Sequence, residues 1–225
     1  MRAIVPWSPD ELWAAMTIGK SQDRTLSTQI LRWTGMAAVL GGLLCGLAAL
    51  LHSLEPTGCI GMECETREMR SATGLVPFIS PVATILILIG IAGLTWLARQ
   101  AGRYKRLANA GVICAAAGLA VLFLGGFIQA VFFNGDFPGM PFFVIPGLLA
   151  VITGFVLIGV FILRSGVLPR WLGIFLLVSS VLLLAANEQT ITVLLVIPFG
   201  LAVATVGVFM WTMADRPKTA AVAAG

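Results

Sequence analysis

Arg99-Gln100-Ala101-Gly102-Arg103-Tyr104-Lys105-Arg106 is a short basic segment between two long apolar runs, residues 76–98 and 107–132. Crossing the hydrocarbon core of a bilayer as a helix takes about 20 apolar residues, and each run is at least that long. The segment therefore predicts a turn at a membrane surface between two spanning helices. Every other run in the chain can be oriented from this turn.

The composition is that of a membrane protein. The 225 residues are 59% hydrophobic and 11% charged, and the mean hydropathy is +1.00, whereas about a quarter of the residues in a soluble domain are charged. The apolar runs predict an all-α, six-helix transmembrane bundle with spans at about 30–51, 76–98, 107–132, 142–163, 170–186 and 190–213. Residues 1–29 are then a cytoplasmic lead-in, and residues 214–225 a cytoplasmic tail.

The charges divide unevenly between the two ends of the predicted spans. The end that contains the basic turn carries a net charge of +8 and the opposite end −4, which together give the formal +4 of the chain. By the positive-inside rule, both termini are cytoplasmic, in a multi-pass protein of a prokaryotic plasma membrane. The residues that anchor this topology are Arg99, Arg103, Lys105, Arg106, Arg164 and Arg170. The pI near 9.2 reflects this orientation and is not a sign of nucleic-acid binding.

The lead-in contains a helix-start signal, Ser8-Pro9-Asp10-Glu11, in which Ser8 is the N-cap and Glu11 completes a capping box. The sequence predicts a short helix that ends near Gly19. Leu12, Trp13 and Met16 share one face of it. This face is interpreted either as an interfacial or partner-docking surface, or as a surface packed under the protein's own bundle.

Glycines recur at a spacing of seven residues inside the spans. Seven residues are close to two helical turns, so each set lies along one seam of its helix. The predicted helix-packing glycines are Gly35 with Gly42, Gly111 with Gly118 and Gly125, Gly147 with Gly154, and Gly200 with Gly207. Small residues let helices approach closely in a membrane, so the pattern predicts helix contacts. A substrate pathway is the alternative.

The longest external segment, residues 52–74, holds the most varied chemistry. Cys59 and Cys64 lie five residues apart on the oxidising side of the membrane, which favours a disulfide. The rival hypothesis is a soft-metal site that adds His52, Met62 and Met69. Because their spacing matches no known metal motif, no metal is predicted.

A possible internal repeat follows from the prolines. Pro81 and Arg99, Pro146 and Arg164, and Pro198 and Arg216 are each 18 residues apart. The pattern predicts three pseudo-repeated helical hairpins, with coincidence of membrane thickness and interfacial arginines as the alternative. Pro81 and Pro146 are expected in or near a first helical turn, and Pro198 is expected to kink the last span.

Two short patches carry a resemblance to known proteins. They are Arg32-Trp33-Thr34-Gly35 at the start of the first span, and Gly166-Val167-Leu168-Pro169-Arg170-Trp171-Leu172-Gly173 before a late one. In these patches the chain resembles uncharacterised small six-helix prokaryotic membrane proteins of unknown function. The resemblance implies an architecture and nothing about mechanism.

Apart from Arg32 and Arg170 at the ends of their spans, the predicted spans contain no charged residue, although charged residues inside the membrane usually mark proton relays, ion coupling and cofactor anchoring. The chain is therefore predicted to be non-enzymatic and without a cofactor. The first hypothesis is an accessory or assembly subunit that acts through contacts with other membrane proteins in the lipid bilayer. The second is a transporter or channel for a small neutral or apolar solute, with an outer vestibule formed by His52, Gln129, Asp136 and Glu188. The third is a redox or metal role at Cys59 and Cys64.

Overall fold

The computed structural model describes residues 9–59, 70, 74–101, 105–133 and 139–222, and this part of the chain is helical with no β-strand. The predicted all-α class is thereby confirmed. The six helices are α1 (Pro9–Ser53), α2 (Val76–Ala101), α3 (Lys105–Phe132), α4 (Pro141–Ser165), α5 (Arg170–Leu182) and α6 (Val196–Val222). Two short 3₁₀ segments, Leu183–Ala185 and Ile191–Leu195, lie between α5 and α6.

The first helix corrects the prediction of a separate helix that ends at Gly19. α1 is continuous from Pro9 to Ser53, so residues 9–29 belong to the same helix as the first span. A single glycine inside a helix costs only about 1 kcal/mol relative to alanine, and no proline follows Pro9 until Pro56. The apolar part begins at Ser27. Residues 9–26 therefore extend the helix by about 27 Å beyond it.

Five helices of the described residues are long and apolar enough to cross a membrane: Ser27–Ser53, Val76–Arg99, Arg106–Gln129, Pro141–Ser165 and Ile191–Ala214. The sixth predicted span, 170–186, is shorter. α5 has 13 residues and continues as a three-residue 3₁₀ segment. Together they measure about 26 Å, slightly less than the roughly 30 Å of a bilayer core.

The helices form a closed ring in chain order. Each helix packs against the next, and α6 returns to pack extensively against α1. The contacts of α1 with α6 and α2, and of α3 with α4, are more extensive than those of α2 with α3 and of α5 with α6. Gly35 meets Gly207 while Gly42 meets Gly200, so α1 and α6 run in opposite directions.

The core draws on all six helices, and its largest fully buried side chains belong to α4, α5 and α6. Phe161, Ile158, Ile162, Leu172 and Met210 are the largest fully buried apolar side chains of the described residues. The rings of Phe155 in α4 and Phe199 in α6 also meet edge to face, with centroids 4.7 Å apart. Such aromatic contacts are favourable beyond the burial of area alone, so α4 and α6 are joined across the ring.

The prolines lie differently from the prediction. The 3₁₀ segment that ends at Leu195 postpones the start of α6 to Val196, so Pro198 lies in the first turn, where its missing N–H breaks no helical hydrogen bond. Pro81 and Pro146 instead lie inside α2 and α4, beyond the first turn. The proline of α6 therefore occupies a different helical position from the prolines of α2 and α4. The internal repeat of three hairpins stays a prediction.

The end of α6 also differs from the predicted boundary at residue 213. The helix continues to Val222, so most of the predicted tail 214–225 is helical. Ala214 precedes Pro217, and Ala220 and Ala221 follow it. Alanine is the strongest helix former, which favours helix on both sides of the proline.

Candidate functional site

One end of the bundle carries a polar cluster centred on Arg70. Its guanidinium donates through Nε to the carbonyl oxygen of Pro56 at 2.7 Å and through one terminal nitrogen to that of Glu188 at 3.1 Å. The other terminal nitrogen donates to the carbonyl oxygen of Glu55. We call Glu55, Gly58, Arg70, Glu188 and Gln189 the clamp, and this end of the bundle the clamp end.

Gln189 completes the clamp from the segment between α5 and α6. Its Oε1 accepts from the backbone N–H of Arg70 at 2.7 Å, and its Nε2 donates to the carbonyl oxygen of Arg70 at 3.4 Å. Its own carbonyl accepts from the N–H of Gly58 at 3.0 Å. A Cβ atom at residue 58 would overlap Gln189 Oε1 and the Arg70 nitrogen, so only glycine fits there.

The clamp joins the two helices that contact each other most. Glu55 and Pro56 follow α1, whereas Glu188 and Gln189 precede α6. The end of a helix presents unpaired carbonyl groups and a partial negative charge, which a nearby guanidinium stabilises. The arrangement is thus a structural fastening between α1 and α6 at their shared end.

The four predicted vestibule residues are placed as follows. His52 is buried, and its Nδ1 lies 2.8 Å from Glu55 Oε2. Glu188 is exposed, and its backbone carbonyl takes part in the clamp. Gln129 lies near the end of α3, where its carbonyl accepts from the N–H of Phe133 at 3.3 Å. Asp136 lies outside the described residues. Two of the predicted vestibule residues, His52 and Glu188, are connected through the clamp.

The cysteines occupy two environments. Cys45 in α1 and Cys114 in α3 are partly buried free thiols. Cys59 directly follows Gly58 of the clamp and is only 2% exposed. Its predicted partner Cys64 lies outside the described residues, so the disulfide stays a prediction. The part of the chain that the structure describes contains no group of three His, Cys, Asp or Glu side chains that could hold a metal ion.

The glycines at a spacing of seven lie in close helix contacts. Between α1 and α6, a Cβ at Gly35 would lie 2.9 Å from the Gly207 oxygen, and one at Gly200 would lie 2.5 Å from the Gly42 oxygen. We call this contact the first glycine seam. No side chain fits in it, because real Cβ atoms almost never approach other atoms within 3.0 Å.

The same arrangement recurs between α3 and α4. A Cβ at Gly111 would lie 2.8 Å from the Gly154 oxygen, and one at Gly118 would lie 2.5 Å from the Gly147 oxygen. We call this contact the second glycine seam. Gly125, the third member of the α3 set, lies against the Phe143 side chain, which takes the place of a glycine there.

The opposite end of the bundle is basic, and we call it the arginine end. Arg99, Arg106, Arg164 and Arg170 are exposed there, as is Arg32 of α1. Of the other two predicted anchors, Lys105 is the first residue of α3, and Arg103 lies outside the described residues.

The interior between the two ends is apolar. A cavity of about 20 Å³ lies among side chains of α1, α2, α4, α5 and α6, and it is lined by Ala38, Gly90, Ile91, Leu94, Phe155, Ile158, Leu176, Val203, Val206 and Met210. This volume is close to that of one water-sized probe, and an apolar cavity of this kind stays dry. The buried polar side chains of the described residues are His52, Ser179 and Ser180. The two serines bond to the carbonyl of Leu176.

Sequence reasoning missed the two residues that hold the clamp together. Arg70 and Gln189 are 119 positions apart, so no local pattern relates them. One signal was present, since Arg70 is one of only two basic residues on the otherwise acidic side of the chain.

Comparison of the chain with protein-family models, with curated proteins and with solved structures finds no match in any of the three.

Proposed function

We propose that the chain is a multi-pass protein of a prokaryotic plasma membrane, with its arginine end in the cytoplasm. Five helices have the length to span, and α5 reaches nearly across a bilayer core. Exposed arginines gather at one end, as the positive-inside rule requires of the cytoplasmic side. With α5 as a sixth crossing, both termini are cytoplasmic and the clamp is external.

Within that membrane the protein acts through contacts with other proteins, as an accessory or assembly subunit of a larger complex. The observation that carries this proposal is the extension of α1 beyond its apolar part, over residues 9–26. Most of the stability of a helix in water comes from packing of an apolar face against another surface rather than from helix propensity. Leu12, Trp13 and Met16 supply an apolar face for such packing.

The close packing of the bundle also supports a role in protein contacts rather than in solute transport. Both glycine seams bring backbones into contact, and one small apolar cavity lies among the described helices. A solute pathway, the alternative function, needs a continuous route through the bundle, and a cavity of about 20 Å³ does not supply one. The polar chemistry of the described residues lies at the two ends, where partners in water or at the headgroups can reach it.

The external clamp is braced by a disulfide between Cys59 and Cys64. Cys59 is buried directly beside Gly58, whose N–H bonds to Gln189, and the other two cysteines are free thiols within helices. A bridge over five residues shortens the unrestrained chain between Cys59 and Arg70. Its role is structural, and the redox hypothesis is not needed to explain it.

The test is purification of the tagged full-length protein from native membranes in mild detergent, with identification of co-purifying proteins. The test variant changes Leu12→Ala, Trp13→Ala and Met16→Ala together. A matched control changes Ser21→Ala, Gln22→Ala and Thr25→Ala, which lie on the opposite face of the same helix.

A stoichiometric partner is expected with the wild type and with the control, and its loss is expected with the test variant. A wild-type protein that elutes alone after mild solubilisation contradicts the subunit proposal. Solute flux into liposomes containing the purified protein then becomes the measurement for the transport alternative. A partner that is retained by the test variant keeps the subunit proposal but removes the helix extension as its docking surface.

A further inference from the structure

The exposed side of α1 carries a regular row of leucines. Leu40, Leu43, Leu47 and Leu50 follow one another at spacings of three, four and three residues, and each side chain is between 42% and 51% exposed. This spacing is a seven-residue repeat with positions lettered a to g, in which Leu40 and Leu47 stand at a, and Leu43 and Leu50 at d. We call the side of α1 formed by positions a and d the leucine face.

The bundle packs against the opposite side of α1. Gly35 and Gly42, at position c, lie against α6, and Gly41, at position b, lies against α2. Ala38, at position f, is buried. Among the described side chains of α1, each residue at a is exposed, and so is each residue at d except the half-buried Met36. The leucine face therefore remains uncovered after α1 has met its two neighbours in the ring.

The repeat continues beyond the apolar part of α1, which begins at Ser27. Because α1 is a single helix from Pro9 to Ser53, residues 9–26 keep the same register. In that stretch position a holds Leu12, Gly19 and Leu26, and position d holds Ala15 and Gln22. None of the charged residues of α1 lies at a or d. From Leu12 to Leu50 the leucine face is thus a stripe without charge, about 57 Å long.

A face with these properties fits another helix of the same length. Leucines that face lipid need no partner, because lipid tails are as apolar as leucine, but the apolar residues of the extension are stabilised when they are removed from water. A seven-residue repeat selects a helix that supercoils with α1 along this whole length. A second copy of this chain supplies such a helix in matching register, since copies inserted into one membrane share the same orientation.

The polar residues of the leucine face also suit an identical helix. In a parallel pair related by a two-fold axis, each residue at a or d meets its own copy at the same level. Gln22 and Gln29 both stand at d, and Gln29 is exposed. A glutamine amide has both donors and an acceptor, so each of these glutamines can bond to the same residue of the second copy.

The charges beside the leucine face do not oppose this pairing. In a parallel coiled coil, position g of one helix approaches position e of the following repeat on the other. The register places Glu11 beside Met16 and Ile18 beside Asp23 of the second copy. Arg32, the other charged residue at g, falls beside an alanine. No like charges of the two α1 helices are therefore brought together.

We propose that two copies of the chain pair through the leucine faces of their α1 helices, as a parallel coiled coil that continues from the membrane into the water at the arginine end. This goes beyond the proposed contact with another subunit. Trp13 and Met16 of that contact lie at positions b and e, so the two faces are adjacent and share only Leu12. The dimer is therefore expected whether or not another subunit binds.

Disulfide cross-linking of the full-length protein in isolated membranes tests this pairing. Cys45 and Cys114 are first replaced by alanine, and this background shows any product that the remaining cysteines form. Leu40→Cys, Leu43→Cys and Leu26→Cys then each place one thiol in the leucine face, the last of them outside the apolar part of α1. A disulfide forms only where two Cβ atoms come within about 4.5 Å, so oxidation reports which residues meet their own copy.

Each part of the leucine face has a matched control. Ile89→Cys places the thiol on α2, where the side chain is 44% exposed against 48% for Leu40. The depth is similar, because Gly90 of α2 lies against Ala38 of α1. For the extension, Ser21→Cys places the thiol at position c, away from the leucine face.

Oxidation is expected to join each leucine-face variant into a product of twice the 23.7 kDa mass of the chain, which reduction reverses and which mass spectrometry identifies as this chain alone. Both controls are expected to stay at the level of the background. An equal yield from Ile89→Cys would show random collision in the membrane and overturn the proposal, as would the absence of product from Leu40→Cys and Leu43→Cys. A product that contains another protein overturns the assignment to a second copy. The absence of product from Leu26→Cys alone overturns a contact that continues into water.

Discussion

Replacing Gly42 by alanine tests whether the first glycine seam sets the distance between α1 and α6. The new Cβ would lie 2.7 Å from the Ala204 nitrogen and would also overlap the Gly200 oxygen. The Ala204 nitrogen and the Gly200 oxygen both belong to the backbone, which does not move aside as the end of a flexible side chain does. The two helices must separate by roughly 1 Å to restore ordinary van der Waals distances.

The same helix provides a matched control four residues away. A Cβ at Gly46 would meet nothing within 4 Å, so Gly46→Ala adds the same methyl group without a clash. Overpacking costs about 1–3 kcal/mol, whereas alanine in place of glycine stabilises a helix by about 0.5–1 kcal/mol. Gly42→Ala should therefore lower the free energy of unfolding by about 1–2 kcal/mol, and Gly46→Ala should raise it slightly.

The free thiols of Cys45 and Cys114 allow unfolding to be measured by chemical labelling. Cys45 lies three residues after Gly42, and Cys114 lies between the two seam glycines of α3. A maleimide dye that fluoresces on reaction reports unfolding as these partly buried thiols become accessible. With Cys114 replaced by serine, and with Cys59 and Cys64 joined in the proposed disulfide, the dye reports on α1 alone. At about 2–4 °C per kcal/mol for a chain of this size, the two glycine variants should differ in Tm by about 4–8 °C.

The comparison of the two variants is what decides the argument. Equal midpoints for Gly42→Ala and Gly46→Ala would show that the seam tolerates a side chain, and the glycine spacing would then have no structural role. A drop in both would mean that any added methyl group on α1 disturbs the bundle. Only a drop confined to Gly42→Ala supports the seam.

Three further predictions follow from the same structure. Gly118→Ala, whose Cβ would lie 2.5 Å from the Gly147 oxygen, should lower the Tm reported by Cys114 by about 2–4 °C, and Gly126→Ala, with nothing within 4 Å, should not. Arg70→Ala removes three side-chain hydrogen bonds from the clamp and should lower the free energy of unfolding by about 2 kcal/mol, discounted for its partial exposure; an unchanged unfolding curve would contradict the clamp. Alkylation of the denatured, non-reduced protein should modify two cysteines by intact mass, and modification of all four would exclude a bridge between Cys59 and Cys64.

The sequence predicted the helical class and most of the spans because an apolar run long enough to cross a bilayer is a strong signal. The ends of the helices were harder to predict. Residues 9–26 are polar enough to suggest a break, yet no residue there stops a helix, and α1 runs through. α6 starts late because Thr190 accepts a hydrogen bond from the N–H of Thr192 and begins a 3₁₀ segment instead. Such ends depend on a few local hydrogen bonds that composition does not reveal.

The sequence also did not show which helices pack against each other. A spacing of seven predicts that Gly35 and Gly42 lie on one face, but it does not say which helix they meet. Chain order favours α2 as the partner, whereas the structure places α6 against this face. α2 instead contacts α1 through a second face, where a Cβ at Gly90 would lie against Ala38. The assignment follows from closure of the ring, a global property that a local pattern does not contain.

Closure of the helix ring also explains why the clamp and the first glycine seam both join α1 to α6. α1 and α6 are the first and last helices, so no short loop joins them, and their contact must be held by side-chain and backbone interactions alone. The seam brings the two backbones together in the apolar layer, and Arg70 joins the end of α1 to the start of α6. Loss of Arg70 should therefore matter more in a Gly42→Ala background than alone, because both changes weaken one contact. A double-mutant cycle of Arg70→Ala and Gly42→Ala should show coupling of about 0.5–1 kcal/mol, whereas Arg70→Ala combined with Gly118→Ala, in the other seam, should be additive.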